Sequence, residues 1–474
     1  MSDDKCITSI VLVTCNELDY TKQCVESIQR HTERGSYELI IVDNGSIDGT
    51  VQWAKKQGGI LVIDNGCNVG SSKGCNIGLA AASGELLMLL NHDMIVTPGW
   101  LDGLKRCLRS DDRIGAVSPV TNSDSYWTAI TVPYKTIEEM ELYACALHAL
   151  PDKAKWEECI KLVSYCLLIR REAWEQAGPL DESFDMSDFE VDDYSLRLRL
   201  AGYRLMLGGD TFIHSSGENT ASSADPAEFQ ERFKGNSKVF MRKWGFYPSD
   251  ITFMRKDIST VIQRESHEYK RKACSIMELG CGCGAAALYL KKPFLTARWY
   301  GVEQNELAAT IAETSGMTVF RSSEPEDWLL PAEGLDGIIV SDAHTYGSPE
   351  TMKRLVSLLR PGGWVVGCFA NRLYFGNIRK YLDPMNAEAQ RQASMQYTTQ
   401  QLNKLYLIAG FTFVKVTPTE NKPQEELAYI GQLEQLADGV MARELTADYL
   451  LAFGRMPYAA EEQGCREHEP IYRD

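Results

Sequence analysis

Four groups of residues in this chain carry side chains that can do chemistry. Leu90-Asn91-His92-Asp93 closes the apolar run Leu86–Leu90 and puts an amide, an imidazole and a carboxylate at a strand's exit. Ligands of open α/β sheets bind at the carboxyl ends of the strands. A carboxylate placed there suits a hard divalent cation that holds a diphosphate. Val42-Asp43-Asn44-Gly45-Ser46 closes a second apolar run, where Asp43 is placed to accept a hydrogen bond from a base N–H or a ribose hydroxyl. Phe189-Glu190-Val191-Asp192-Asp193-Tyr194 opens a helical pattern with acids. Such acids complement a helix N-terminus, and they also offer carboxylates for general-base work. Glu278-Leu279-Gly280-Cys281-Gly282-Cys283-Gly284 follows a third apolar run, and its glycines let the backbone approach a ligand closely.

The elements that must position these groups are legible as a rhythm. Ile7–Val13, Leu39–Val42, Gly59–Ile63 and Leu86–Leu90 read as strands, with helical patterns over Thr50–Lys56 and Asn76–Ala82 between them. This alternation predicts an α/β unit with a mostly parallel sheet and helices on both faces. Residues 121–160 lose the rhythm and are expected to be an acceptor-side insertion, after which Val163–Ile169 resumes as a strand. Glu228–Trp244 reads as a helix with an aromatic face. A second strand–glycine-turn–helix begins at Ser275, with further strands at Trp299–Glu303 and Leu335–Val340. The expected domains are 1–262 and 263–474.

The strings VTCNE (13–17), IIVDNGSIDGT (40–50), NVGSSKGCNIGLAAASGELLMLLNHDMIVTPGW (68–100) and AGYRLMLGGDTFIHSSG (201–217) stand in this order. Together they resemble the family-2 glycosyltransferases of the GT-A fold, over about residues 7–245. The resemblance implies that Thr14 and Asp43 contact nucleobase and ribose. It implies that Asn91 and Asp93 are the ends of a D-x-D-like motif, with Asp93 as metal ligand, His92 outside the ligand set and His214 completing the site. Lys73 is read as a cation near phosphate. The family carries Glu-Asp where this chain has Glu190-Val191, so a one-residue shift makes Asp192 the expected general base, with Glu190 and Asp193 orienting acceptor or helix. The implied reaction is a single displacement with inversion, dependent on Mn2+ or Mg2+, from a UDP-sugar donor to a protein or glycan hydroxyl.

Glu278, the three glycines Gly280, Gly282 and Gly284, Glu303 and the turn Arg360-Pro361-Gly362-Gly363 resemble class I S-adenosylmethionine-dependent methyltransferases, over about residues 270–457. The resemblance implies a Rossmann-like methyltransferase domain that binds S-adenosylmethionine, with Glu278 near the methionine amino group and Glu303 on the ribose. Asp342 and His344 are the candidates for a base in it, and Tyr449–Phe453 is expected as a last strand.

Composition narrows the partners. A formal charge of −16 over 474 residues argues against a nucleic-acid or anionic-membrane surface. No apolar stretch reaches spanning length, so a cytoplasmic protein is expected. Fourteen scattered cysteines read as reduced thiols, and Cys281 and Cys283 lack a matching pair for zinc. The leading reading is a glycosyltransferase whose second domain O-methylates the product. Two others stand beside it: a methyltransferase with a non-catalytic sugar-nucleotide-binding first half, and an assembly protein with two vestigial pockets.

Overall fold

The computed structural model describes residues 7–123, 127–149, 151–184, 189–217, 226–248, 256–266, 272–381, 396–419 and 442–458. Contacts divide the chain into two units, Met1–Thr252 and Phe253–Asp474. The helix Lys256–Glu265 buries Ile258, Val261 and Ile262 in the core of the second unit, so the division falls ahead of that helix rather than near 262. Part of the charged run Arg264–Lys272 lies outside the described residues.

The first unit contains β1 (Thr8–Thr14), β2 (Tyr37–Asp43), β3 (Ile60–Asp64), β4 (Leu86–Leu90), β5 (Met94–Ile95), β6 (Ile114–Val120), β7 (Trp156–Cys159), β8 (Cys166–Arg170), β9 (Arg204–Phe212) and β10 (His214–Ser215). Eight of these form one sheet in the order β3-β2-β1-β4-β8-β6-β9-β7, and β10 pairs with β5 in a small separate ladder. β3, β2, β1 and β4 run parallel, as the rhythm predicts. Their residues are apolar almost without break, as befits strands covered on both faces. The rest of the sheet is mixed. β8 is antiparallel to both β4 and β6, and β7 is antiparallel to β9. The strand expected at Val163–Ile169 is therefore present but reversed, because hydrophobic periodicity carries no direction. The irregular stretch 121–160 supplies a helix, Ile137–His148, capped by the Thr136 side chain on the Glu139 amide, and also the edge strand β7.

The helix Ser71–Ala81 shows why small residues stand where they do. A Cβ on Gly78 would lie 2.3 Å from Val11 Cγ1 and 3.0 Å from Val42 Cγ2. A Cβ on Gly74 would lie 2.9 Å from Val13 Cγ1. The two glycines let this helix lie directly on β1 and β2, which fixes its first turn above their carboxyl ends.

The second unit contains β11 (Ser275–Leu279), β12 (Arg298–Val302), β13 (Thr318–Phe320), β14 (Leu335–Val340), β15 (Leu359–Ala370), β16 (Phe413–Pro418) and β17 (Tyr449–Arg455). Their order is β13-β12-β11-β14-β15-β17-β16. The first five are parallel, and β17 runs antiparallel to both its neighbours. The Arg360-Pro361-Gly362-Gly363 segment lies inside β15, where the register against β14 shifts and Gly362 takes φ +79°. Both units are thus α/β with Rossmann-like parallel cores.

Gly78→Ala should cost about 1–3 kcal/mol, the range for overpacking a tight core. Urea denaturation followed by tryptophan fluorescence would read it as a lowered midpoint for the first unit.

Candidate functional site

The parallel strands β2, β1 and β4 end together, and their ends carry the first site. Thr14 and Asp43 are aligned across the last register pair of β1 and β2 and are both fully buried. The Thr14 hydroxyl donates to Asp43 Oδ1 at 3.1 Å, and the Ser46 amide donates to Oδ2 at 2.8 Å. Asp43 therefore organises the turn that follows it, and each of its oxygens keeps a further lone pair. Asn44 braces the same rim: its side chain accepts from Asn65 at 2.9 Å and donates to the Gly70 carbonyl at 3.1 Å. Lys73 stands exposed in the first turn of the Ser71–Ala81 helix.

Beyond β4 the Asn91 amide donates to the Tyr165 carbonyl at 2.9 Å, and the Asn91 carbonyl accepts from Met94 at 3.2 Å. This tight turn presents Asp93. Its Oδ1 is buried with no hydrogen-bond partner, and so is the Ser216 hydroxyl. The Ser216 amide donates to the Asp93 carbonyl at 3.0 Å. A Cβ on Gly217 would fall 2.5 Å from Asp93 Oδ2, so glycine is what leaves the carboxylate its room. Burial raises the Asp93 carboxyl above its usual range, His92 opposes this, and Glu17 adds to it. His92 itself turns to Glu17, Nε2 to Oε2 at 3.1 Å. Glu17 and its neighbour Asn16 sit in the left-handed region at φ +58° and +62°.

His214 comes from the far end of the sheet. It pairs with Ile95 across the β5·β10 ladder, while Ser215 pairs with Met94, so the imidazole and Asp93 are borne by the same two-stranded ladder and the turn leading into it. His214 Nδ1 lies 2.7 Å from the Tyr134 hydroxyl, and burial lowers the imidazole's pKa. A neutral ring whose Nδ1 is engaged leaves Nε2 as the nitrogen for a ligand. Sequence reasoning missed Tyr134, which lies in the stretch read only as an insertion. No group of three or more His, Cys, Asp or Glu residues capable of holding a metal occurs among the described residues. Asp93 and His214 are a carboxylate and an imidazole brought to one ladder and the turn leading into it.

The acids opening the helix Phe189–Leu200 have separate surroundings. Asp193 is fully buried and accepts from Arg197 Nε at 2.9 Å and Trp244 Nε1 at 3.0 Å, with Lys243 at 2.7 Å. It ties this helix to the helix Pro226–Trp244. Asp192 meets Lys161 Nζ with both oxygens, at 2.8 and 3.1 Å. Glu190 is 3% exposed, and its charge, after burial, pushes the Cys75 thiol up to about 12. Val191 is buried in the core beneath. Asp188, which immediately precedes this acidic cluster in the sequence, lies outside the described residues.

In the second unit Glu278 is 4% exposed at the end of β11. The Ser341 hydroxyl donates to its Oε1 at 2.5 Å, while Oε2 is buried without a partner. Burial pushes its carboxyl up to about 8, with Glu303 adding repulsion. Glu303 accepts from the amides of Gly282 and Asn305, both at 2.9 Å, so one carboxylate joins the glycine turn to the next helix. Gly280, Gly282 and Gly284 all have positive φ. A Cβ on Gly280 would meet Asp342 at 2.5 Å. Asp342 caps the short helix Ala343–Tyr346, and His344 is exposed upon it.

Residues 9–176, all within the first unit, match the family model described as Glycosyl transferase family 2. The chain is 26% identical over 245 residues to the O-antigen biosynthesis protein RfbC of Myxococcus xanthus, covering 47% of this chain and 18% of that one. It is 25% identical over 268 residues to the N-acetylglucosaminyl-diphospho-decaprenol L-rhamnosyltransferase of Mycobacterium tuberculosis, covering 50% of this chain and 84% of that one. The first two curated relatives are matched over only 27% and 18% of their own lengths. Among solved structures, the mannosyltransferase PcManGT from Pyrobaculum calidifontis aligns at TM-score 0.37 and 17% identity, over 50% of this chain and 64% of that one. A SAM-dependent methyltransferase from Archaeoglobus fulgidus aligns at TM-score 0.30 and 18% identity, over 46% and 98%. No helix among the described residues is long and apolar enough to cross a membrane.

Glu278 makes a checkable contribution to stability. Its folded pKa lies above the unfolded value of 4.5, so the folded state holds a proton that the unfolded state has lost. Stability contributed by the protonated form is present below about 4.5 and is lost as pH rises toward about 8. The slope is at most about 1.4 kcal/mol per pH unit. Glu278→Gln should flatten it, and urea midpoints of the two proteins should diverge in the variant's favour between pH 5.5 and 7.5.

Proposed function

We propose that the first unit transfers a sugar from a nucleoside-diphosphate donor to a hydroxyl acceptor, with inversion at the anomeric carbon and with a divalent cation, Mn2+ or Mg2+, in the site. One observation carries the cation: Asp93 Oδ1 is buried, orphaned and borne on the same ladder as a neutral His214. Buried polar atoms are nearly always satisfied, and an orphan at the turn into the ladder that bears an imidazole fits a ligand position. The cation supplies charge against the leaving diphosphate. Thr14 and Asp43 hold the nucleoside at the strand ends, with UDP as the expected nucleotide. Lys73 meets phosphate from the rim, and Tyr134 keeps the His214 ring in one orientation.

The general base belongs to the first turn of the helix Phe189–Leu200. Glu190 and Asp192 stand two residues apart and so project about 200° from each other, and one of them serves. Lys161 covers both oxygens of Asp192 and makes it the poorer proton acceptor. Glu190 bears on the helix that also carries Lys73. Glu190 is therefore assigned as base in place of Asp192. It takes the acceptor's proton as that oxygen bonds to the anomeric carbon and the bond to diphosphate breaks. The acceptor is a protein or glycan hydroxyl.

The second unit is proposed to bind S-adenosylmethionine, with a hydroxyl of the glycosylated product as methyl acceptor. The orphaned Glu278 Oε2, the three positive-φ glycines and Glu303 beside them support this reading. Calorimetry with S-adenosylmethionine tests it; absence of heat at millimolar ligand would refute it.

Asp93→Ala should lower Mn2+-dependent hydrolysis of the donor by at least about 100-fold. Nucleotide-release assays over UDP-, dTDP- and GDP-sugars would measure it, and full retained activity would remove Asp93 from the site. With an active donor in hand, Glu190→Gln should cost about 100- to 10,000-fold in kcat, the usual worth of a general base. Asp192→Asn should cost far less; the opposite order would return the base to Asp192.

A further inference from the structure

The β5·β10 ladder that bears His214 has only two residue pairs, and a two-stranded ribbon is marginal by itself. Something must hold its open end. Just past β5 stand Thr97 and Pro98, and just before His214 stand Phe212 and Ile213. The Thr97 hydroxyl donates to the Phe212 carbonyl. His148, the last residue of the helix Ile137–His148, reaches both sides: its Nδ1 lies 2.6 Å from the Pro98 carbonyl, and the Phe212 amide donates to its Nε2 at 2.9 Å.

These two partners determine the protonation of the ring. A backbone N–H can only donate and a carbonyl can only accept. Nε2 must therefore be bare and Nδ1 must carry the hydrogen, which makes the imidazole neutral. A doubly protonated ring would set one N–H against another and release Phe212. Burial, the leading influence, favours the neutral ring, and so does Arg106 from the helix Trp100–Leu108. The Pro98 hydrogen bond and Asp210 on β9 pull the other way.

We propose that His148 is a positioning residue that, as the neutral Nδ1-protonated imidazole, clamps Pro98 to Phe212 and so sets the register in which His214 stands beside the turn carrying Asp93. His148 touches neither residue. It acts through the backbone on either side of the ladder, much as outer-shell partners orient metal ligands. The inference rests on the reading of Asp93 and His214 as cation ligands, and its test is arranged so that the two can fail separately.

The test uses the full chain and three variants. His148→Gln places an amide oxygen near the Nε2 position and can still accept from Phe212. His148→Asn keeps its amide near Nδ1 and serves only Pro98, and His148→Phe serves neither. Circular dichroism confirms folding of each. Nitrogen-15 shifts of the wild-type His148 ring should show a protonated Nδ1 and a bare Nε2. Exchange of the Phe212 amide should quicken about tenfold in the Phe and Asn variants, as for loss of one hydrogen bond, and stay within a few-fold of wild type in Gln. Calorimetric affinity for Mn2+ in the presence of UDP, GDP or dTDP should fall about 10- to 100-fold in Phe, and by less in Gln and Asn, each of which keeps one of the two grips. A protonated Nε2, or Phe212 exchange unchanged in the Phe variant, would overturn the clamp. So would Mn2+ affinity unchanged in a Phe variant whose Phe212 exchange has quickened. If the wild-type chain binds no Mn2+ with any of the three nucleotides, the cation reading fails instead, and ring shifts and amide exchange still decide the clamp.

Discussion

The pairing of His214 with Ile95 and of Ser215 with Met94 joins the exit of β4 to the exit of β9. Every other feature of the first site is arranged around that junction. β4 delivers Asp93 because it runs parallel to β1, and β9 delivers His214 because it runs parallel to β6. The two strands are separated in the sheet by β8 and β6. Their exits meet only because the chain folds back over the intervening strands after leaving each. Tyr134, Thr97 and His148 make hydrogen bonds at the meeting point. Rigid support of this kind is what lets a site with few protein ligands keep its geometry.

The same edge explains the electrostatics. Strand ends and the first turns of the helices Ser71–Ala81 and Phe189–Leu200 converge on one rim, and with them come acids that would repel one another in water. The structure separates their tasks by surroundings. Asp43 takes one donor on each oxygen, from Thr14 and Ser46, while Asp193 is engaged by Arg197, Trp244 and Lys243, and Asp192 by Lys161. Asp93 keeps an orphaned oxygen. An uncompensated buried carboxylate atom is costly, and that cost is offset when a cation or a donor hydrogen arrives. The second unit repeats the logic with Glu278, which is held protonated by burial while Glu303 is consumed by two amides.

Much of this was legible from residue order alone. Apolar runs ending in polar residues marked β1, β2, β4, β11 and β14 closely, and the glycine turn after β11 followed from its spacing. Asp93 and His214 stand out in the sequence, and the structure brings them to one ladder and the turn leading into it. The antiparallel course of β8 was not legible, because an apolar run reads the same in either direction. Nor was β6 legible as a strand, β9 was legible only at its end near Thr211-Phe212-Ile213, and the helix Ile137–His148 was hidden in a stretch whose pattern is irregular. The choice among Glu190, Asp192 and Asp193 also stayed beyond reach. Lys161, Trp244 and Lys243 approach from other elements, and nothing in the local spacing announces them.

The sequence by itself determined two α/β units, the strand ends that would carry chemistry and the residue types standing there. These follow from short-range causes: the alternation of apolar runs with turn residues, and glycine where φ must be positive. Only the tertiary structure decided which partners meet each carboxylate, which nitrogen of His214 meets Tyr134, and that His148 grips both sides of the ladder. Those facts depend on contacts between residues distant in the chain, and burial changes the worth of each charge by an amount that no local pattern encodes.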